Sequence, residues 1–259
     1  MARRLRGIVG IESAIVMIAF VIVAAALAFV VLNMGFFTTQ QSKSAIQRGL
    51  GEASSAVEID GTVVAHVDTS SSAIDYWFAN LKLSAGQHRV DLTPMKTIVG
   101  YWSPEKGVAL SNTYLVAVLT PIHDPKDLVQ LIESMMNDSS TTISGSKGQS
   151  IQMTYSVGSN NYKVVFGLPE DVSNMTLKDF FGNYTGGVVS VIAWVTKTNE
   201  DTVLDPGEKV LFLVYYSDST YMPTAYDHLK AELKVPVGAP LTIERMVPPS
   251  LSQAIVDLG

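Results

Sequence analysis

Arg3-Arg4-Leu5-Arg6-Gly7-Ile8-Val9-Gly10-Ile11-Glu12 leads into the stretch that decides the reading of this chain. The 30 residues that follow, 13–42 (SAIVMIAFVIVAAALAFVVLNMGFFTTQQS), carry no charged side chain. Most are Ala, Val, Ile, Leu, Phe or Met, and the next charge is Lys43. Such a segment must enter a membrane or a water-free protein core. A bilayer's hydrocarbon is about 30 Å thick and roughly 20 apolar residues cross it; residues 13–32 meet that length alone. Three arginines precede the segment and no Lys or Arg lies within it. The bias places the N-terminus in the cytoplasm and everything after residue 43 outside.

Three readings of this segment compete. It is a permanent anchor, a secretory signal peptide, or a helix retained after a cut on its cytoplasmic side, between Gly7 and Ile8. A signal peptide ends its apolar run of about 7–15 residues near the cut. Ala24-Ala25-Ala26 and Ala26-Leu27-Ala28 offer such sites, yet the apolar run continues through Phe29, Leu32, Phe36 and Phe37. The third reading draws support from residues 38–57 (TTQQSKSAIQRGLGEASSAV), where Ala45, Ile46, Leu50, Ala53 and Val57 form a narrow apolar stripe near helical spacing. No proline occurs before Pro94. A helix from Ile8 to Val57 would be roughly 75 Å long, far more than a bilayer needs. Gly49 and Gly51 weaken its far end and predict fraying there. A helix that is apolar all round in its first half needs lipid first and copies of itself later.

Residues 3–57, together with GAPLTIERMVPPSLSQAIVDLG at the C-terminal end, resemble archaeal flagellins, members of the type IV pilin superfamily. The resemblance implies cleavage between Gly7 and Ile8 by a prepilin-type aspartic peptidase. It further implies extraction from the lipid bilayer by an assembly ATPase and membrane platform, then packing of the helices into a filament of identical subunits. Arg6 fits the basic residue expected before the leader glycine; Leu5 departs from it. Glu12 would be the fifth residue of the cleaved chain, where pilins commonly have glutamate. A lone buried carboxylate is costly, so Glu12 would pair with the new α-amine on Ile8 of a neighbour, or else stay wet near the headgroups.

After residue 57 the pattern turns to period two. Strands are expected over 57–67, 76–83, 97–102, 114–120, 151–157, 162–168, 188–196, 210–216, 229–235 and 241–247. Short strands between Gly, Asn and Pro turns point to an antiparallel sandwich, and the resemblance adds that it is immunoglobulin-like. One helix interrupts: Asp124 as N-cap, Pro125 at the first position, then Leu128, Leu131, Ile132, Met135 and Met136 as its buried stripe. Residues 139–150, rich in Ser, Thr and Gly, read as a flexible surface loop. The expected fold is α+β, divided into a leader (1–7), a long hydrophobic helix (8–57) and an outer β-sandwich domain (58–259).

Composition narrows the function further. The mean hydropathy of +0.25 comes largely from the segment before residue 38. Net charge is −6, and the body beyond the basic leader is more acidic still. That argues against nucleic acid, which needs clustered Lys and Arg. The absence of cysteine excludes disulfides, thiolate zinc sites and cysteine nucleophiles. His66, His88, His123 and His228 are scattered, no catalytic motif appears, and neither an enzyme nor a cofactor is expected. Asp201, Asp205 and Glu208, in the densest acidic stretch, are weak candidates for a metal, since Asp-Pro-Gly-Glu is an ordinary turn. Asn137, Asn174 and Asn183 head N-x-S/T triplets and are candidate glycosylation sites. The expectation is an extracellular filament subunit for swimming, made as a membrane-inserted precursor. An adhesive pilus subunit of the same superfamily is the near alternative, and a monomeric anchored binding domain the distant one.

Overall fold

The computed structural model describes residues 8–54, 57–84 and 89–259. The chain divides into two compact units, one up to Leu50 and one from Gly51 onward.

The first unit is built on α1 (Ile8–Ser54), an unbroken helix of 47 residues, about 70 Å long at 1.5 Å per residue, whose last turn falls past Leu50. It ends short of the expected Val57, and Gly49 and Gly51 lie inside it rather than fraying it. Val and Ile are indifferent helix formers in water. In a segment this apolar the helix is nonetheless favoured, because it satisfies its backbone internally. Thr38 and Thr39 do the same with their side chains, donating to the Met34 and Gly35 carbonyls at 2.8 Å.

The second unit is built on a nine-stranded central sheet, with strands numbered along the chain. From edge to edge it runs β17 (Ile255–Asp257), β2 (Val64–Asp68), β3 (Ala73–Leu83), β14 (Lys209–Tyr216), β12 (Val188–Thr196), β7 (Tyr114–Val118), β10 (Asn160–Gly167) and β9 (Ser150–Val157). The ninth strand, β1 (Val57–Ile59), pairs with the far end of β3, Val57 opposite Leu83. All these pairs are antiparallel except β12 with β7. A four-stranded sheet has the order β16 (Leu241–Met246), β15 (His228–Lys234), β5 (Ile98–Ser103) and β6 (Val108–Leu110). Two short ladders complete the set: β4 (Val90–Asp91) with β13 (Val203–Leu204), and β8 (Thr142–Gly145) with β11 (Val172–Thr176).

The central sheet buries both faces. Val210, Phe212, Val214 and Tyr216 of β14 join a core with Tyr101, Leu229, Ala231 and Ile243 of the four-stranded sheet. The alternate residues Leu211 and Leu213 join a second core with α2 (Pro125–Asn137) and α3 (Leu177–Tyr184). Double burial explains why VVSVIAWV of β12 is almost continuously apolar. The expected sandwich is therefore present, with helices and the β8–β11 ladder forming a third layer over its other face.

Local signals account for both helices. The Asp124 carboxylate accepts from the Lys126 amide at 2.9 Å, with Pro125 in the first turn, as expected. For α3, which the strand pattern hides, Thr176 accepts from the Asp179 amide at 3.1 Å while its hydroxyl donates to the Asp179 carboxylate at 2.8 Å. The presumed loop 139–150 is more ordered than its composition implies. Asp138 takes hydrogen bonds from the Ser140 and Thr141 amides, and Ile143 of β8 is buried in the second core.

Candidate assembly interface

In α1 the apolar side chains are exposed on every side. Ile11 is 64% exposed, Phe20 74%, Val31 68% and Phe37 68%. Soluble monomers rarely expose contiguous apolar patches above a few hundred Å²; here the exposed surface runs through several helical turns. Glu12 sits on the same side of the helix as Ser13, Val16, Met17 and Phe20, and it is solvent-exposed within the single chain. A Cβ added at Gly10 or Gly35 would meet nothing within 4 Å. No packing within the chain therefore demands glycine there. Gly7 lies outside the described residues, as does the side chain of Ile8.

The acidic loop is a hydrogen-bonded turn. Glu208 is 1% exposed. Its carboxylate accepts from the Thr198 amide at 2.6 Å, the Asp205 amide at 3.1 Å and the Trp194 indole at 3.3 Å. Asp205 accepts from the Asn199 side chain at 2.8 Å, with Arg89 3.5 Å from its other oxygen, and Asp201 accepts from the Val203 amide at 3.0 Å. The three carboxylates thus tie strand ends together, although Oδ1 of Asp205, the oxygen facing Arg89, is buried with no hydrogen-bond partner among the described residues. Among the described residues no group of three or more His, Asp or Glu is placed to hold a metal.

Sequence left two histidines and their partners unassigned. His66 Nδ1 lies 2.8 Å from Asp75, with the ring stacked on Tyr76 at 4.8 Å, and His228 Nδ1 lies 2.8 Å from Glu105. Each bond ties neighbouring strands or turns; His88 lies outside the described residues. The Tyr216 hydroxyl links the Trp77 indole at 3.1 Å to the Tyr101 hydroxyl at 2.7 Å, satisfying three polar groups in the core.

All three sequon asparagines are exposed, in different settings. Asn137 closes α2 beside exposed Ser139. Asn174 has a φ of +49° and accepts from the Ser144 hydroxyl at 3.2 Å. Asn183 lies in α3, and the hydroxyl of its Thr185 is buried, donating to the Phe181 carbonyl at 2.7 Å.

One cation is unusual. Lys197 Nζ lies 3.9 Å from the centroid of the Trp194 ring and donates to the Asp201 carbonyl at 2.5 Å. Burial pulls its pKa down to about 8, against the opposing pull of Glu208, Asp201 and Glu200. Between pH 8 and the ordinary lysine value of 10.5 the unfolded chain holds a proton that the folded chain has released, so stability rises with pH. Tyr76 and Tyr101, pushed up to about 12 by burial, act oppositely: above 10 they ionise only in the unfolded chain, and stability falls. The melting temperature is expected to climb modestly from pH 8 toward 10 and to fall beyond it. Lys197→Met should remove the climb and keep the fall. A flat profile in the unsubstituted protein would mean that Lys197 is not desolvated.

Comparison with known proteins bears on what the exposed helix is for. The family model described as archaeal-type flagellin matches residues 7–245. The chain is 38% identical over 261 residues to probable flagellin 1 of Aeropyrum pernix, covering 99% of this chain and 100% of that one. It is 39% identical over 124 residues to flagellin FlaB2 of Saccharolobus shibatae, covering 48% of this chain and 40% of that one. In fold it is similar to the subunit of the archaeal flagellum of Methanospirillum hungatei, with a TM-score of 0.52 at 17% identity over 95% of this chain and 98% of that one. A long exposed apolar helix, a mostly antiparallel β domain and a family match over nearly the whole length lead to one conclusion: the chain belongs to the archaeal-type flagellin family.

Proposed function

We propose that the chain is the repeating structural subunit of an archaeal swimming filament and polymerises through α1. The observation that carries this is the all-round exposure of apolar side chains from Ile11 to Phe37. Before assembly, lipid covers this surface; afterwards, sister helices do. Ala24, Ala25, Ala26 and Ala28 let helix backbones approach closely, and Phe29, Phe36 and Phe37 fill the gaps. Exchange from lipid to protein gains little by itself, because both are apolar. Extraction therefore needs work, which is the role for an assembly ATPase and membrane platform. A heterologous, non-closing contact generates an open helical filament outside the cell.

In this reading a prepilin-type peptidase removes residues 1–7. The freed α-amine of Ile8 then finds the Glu12 carboxylate of a neighbour, sparing both a lone charge in the dry core. Of the three sequons, Asn137 is favoured for a glycan by the exposed Ser139 beside it, once its side-chain amide gives up its 3.0 Å bond to the exposed Glu133 carbonyl, and Asn183 is disfavoured by the committed hydroxyl of Thr185. Mass spectrometry of filaments sheared from cells tests both points. The expected N-terminal peptide begins at Ile8 and the peptide holding Asn137 carries added mass. A chain starting at Met1 or near Leu27 would overturn the assembly route, and a bare Asn137 would remove the glycan.

A further inference from the structure

We infer that the outer domains of neighbouring copies join edge to edge, β9 of one copy adding to β17 of the next; this rests on the filament reading above. The inference starts from Lys163 of β10, which lies opposite Thr154 of β9. Its amide donates to the Thr120 hydroxyl and its carbonyl accepts from the Leu119 amide, both at 2.8 Å. Both groups therefore point away from β9, and the Lys163–Thr154 pair is a non-hydrogen-bonded one. By alternation the amides and carbonyls of Gln152, Thr154 and Ser156 face outward, where no partner meets them among the described residues.

This edge lacks the usual protection. Proteins guard free edges with charges, prolines, bulges or short strands. β9 is eight residues long, Ser-Ile-Gln-Met-Thr-Tyr-Ser-Val, with no charge and no proline, and its register against β10 is unbroken. Side chains on one face (Ile151, Met153, Tyr155, Val157) pack toward the second core, and those on the other are exposed and polar. An edge of this kind takes an extended backbone as its ligand.

The opposite edge of the same sheet supplies one. Val67 donates to the Ala254 carbonyl at 2.9 Å and Leu258 to the Val63 carbonyl at 2.8 Å. By alternation Ile255 and Asp257 of β17 present their backbone groups outward. Direction decides the fit. Every step across the sheet from β17 to β9 is antiparallel except β12–β7. That single parallel step makes the two edge strands run the same way. A second copy in the same orientation therefore meets β9 with a parallel β17 and the same sheet face on the same side. The contact is heterologous, repeats in every copy and does not close.

The cysteine-free chain makes a direct test possible. Gln152→Cys and Ala254→Cys, exposed positions on the same face of the sheet (Gln152 opposite Val165, Ala254 opposite Val67), are placed together in the full chain, and assembled filaments are treated with a short bismaleimide. The expected result is a ladder of covalent multimers from the double variant and monomers from each single variant. Adding Thr154→Pro, which removes an outward amide unused within the copy, should abolish the ladder while each copy stays folded. Intact filaments without multimers would overturn the edge contact and leave the filament reading standing. Dimers from Gln152→Cys alone would also overturn it, by showing β9 against β9. An unsubstituted chain that does not polymerise would sink both.

Discussion

Val23→Lys is expected to leave cells without filaments. Val23 lies near the middle of the uncharged run and is 58% exposed on α1. In the proposed function its side chain meets only apolar surroundings, lipid before assembly and neighbouring helices after it. A lysine at a helix centre costs about 2.5–3.5 kcal/mol on insertion scales. At tenfold per 1.4 kcal/mol that is a roughly hundredfold weaker insertion equilibrium. Copies that insert bring an unpaired charge into the dry filament core, once per subunit, where each lacks a partner. The two penalties act in sequence, so filament yield falls further than either alone would give. Val23→Leu, similar in volume and equally apolar, should assemble normally. Glu12→Gln is the milder counterpart: in the proposed pairing it removes the partner of the neighbour's α-amine, so fewer filaments are expected from well-inserted precursor. Electron microscopy of sheared filaments with carbonate extraction of membranes separates insertion from assembly. Normal filament yield from Val23→Lys would show that α1 is not buried in the polymer.

The N-terminal helix was legible in sequence because one physical requirement governs all of it. Absence of charge over a membrane's length leaves few solutions, and neither a distant contact nor a register choice intervenes. The strand pattern was legible where alternation is local, as in β9, and less so where both faces are buried. VVSVIAWV of β12 is compatible with burial on either side, so although the α2 stripe is legible, the third layer that it forms with α3 over the sheet is not. Helical spacing put Val57 on the α1 stripe, but pairing with Leu83 makes it the first residue of β1. A partner 26 residues away in sequence outweighs local periodicity. The same reason hides β8: Thr142–Gly145 is Ser/Gly-rich, and its order comes from β11 across a long connection and from the burial of Ile143. For α3 the signal was present and local, in Thr176-x-x-Asp179. Side-chain pairing was the least legible layer. His66 with Asp75 and Glu208 with Trp194 are products of strand register, which alternation alone does not set.

Glu208→Ala should be among the most destabilising single changes in the β domain, although it lies in a surface turn. Removing the carboxylate strands the Trp194 indole N–H and the Thr198 and Asp205 amides, which it now accepts. A buried donor left unpaired costs about 1–3 kcal/mol; the Trp194 indole bears that cost in full while the Thr198 and Asp205 amides, whose bonds are part-buried, reach water in part, so the sum is about 2–4 kcal/mol, large for a point substitution. For a domain of this size each kcal/mol is worth about 2–4 °C, so the melting temperature should drop by roughly 10 °C. Glu208→Gln keeps the shape and one acceptor but turns an amide N–H toward existing donors, so its loss should be intermediate. The same measurement decides what the acidic loop is for. If Asp201, Asp205 and Glu208 serve as hydrogen-bond acceptors, EDTA leaves the melting temperature of the detergent-solubilised chain unchanged. If they hold a cation, EDTA lowers it and Glu208→Ala becomes insensitive to the chelator. The geometry favours the first outcome, because each Glu208 oxygen already faces a backbone donor.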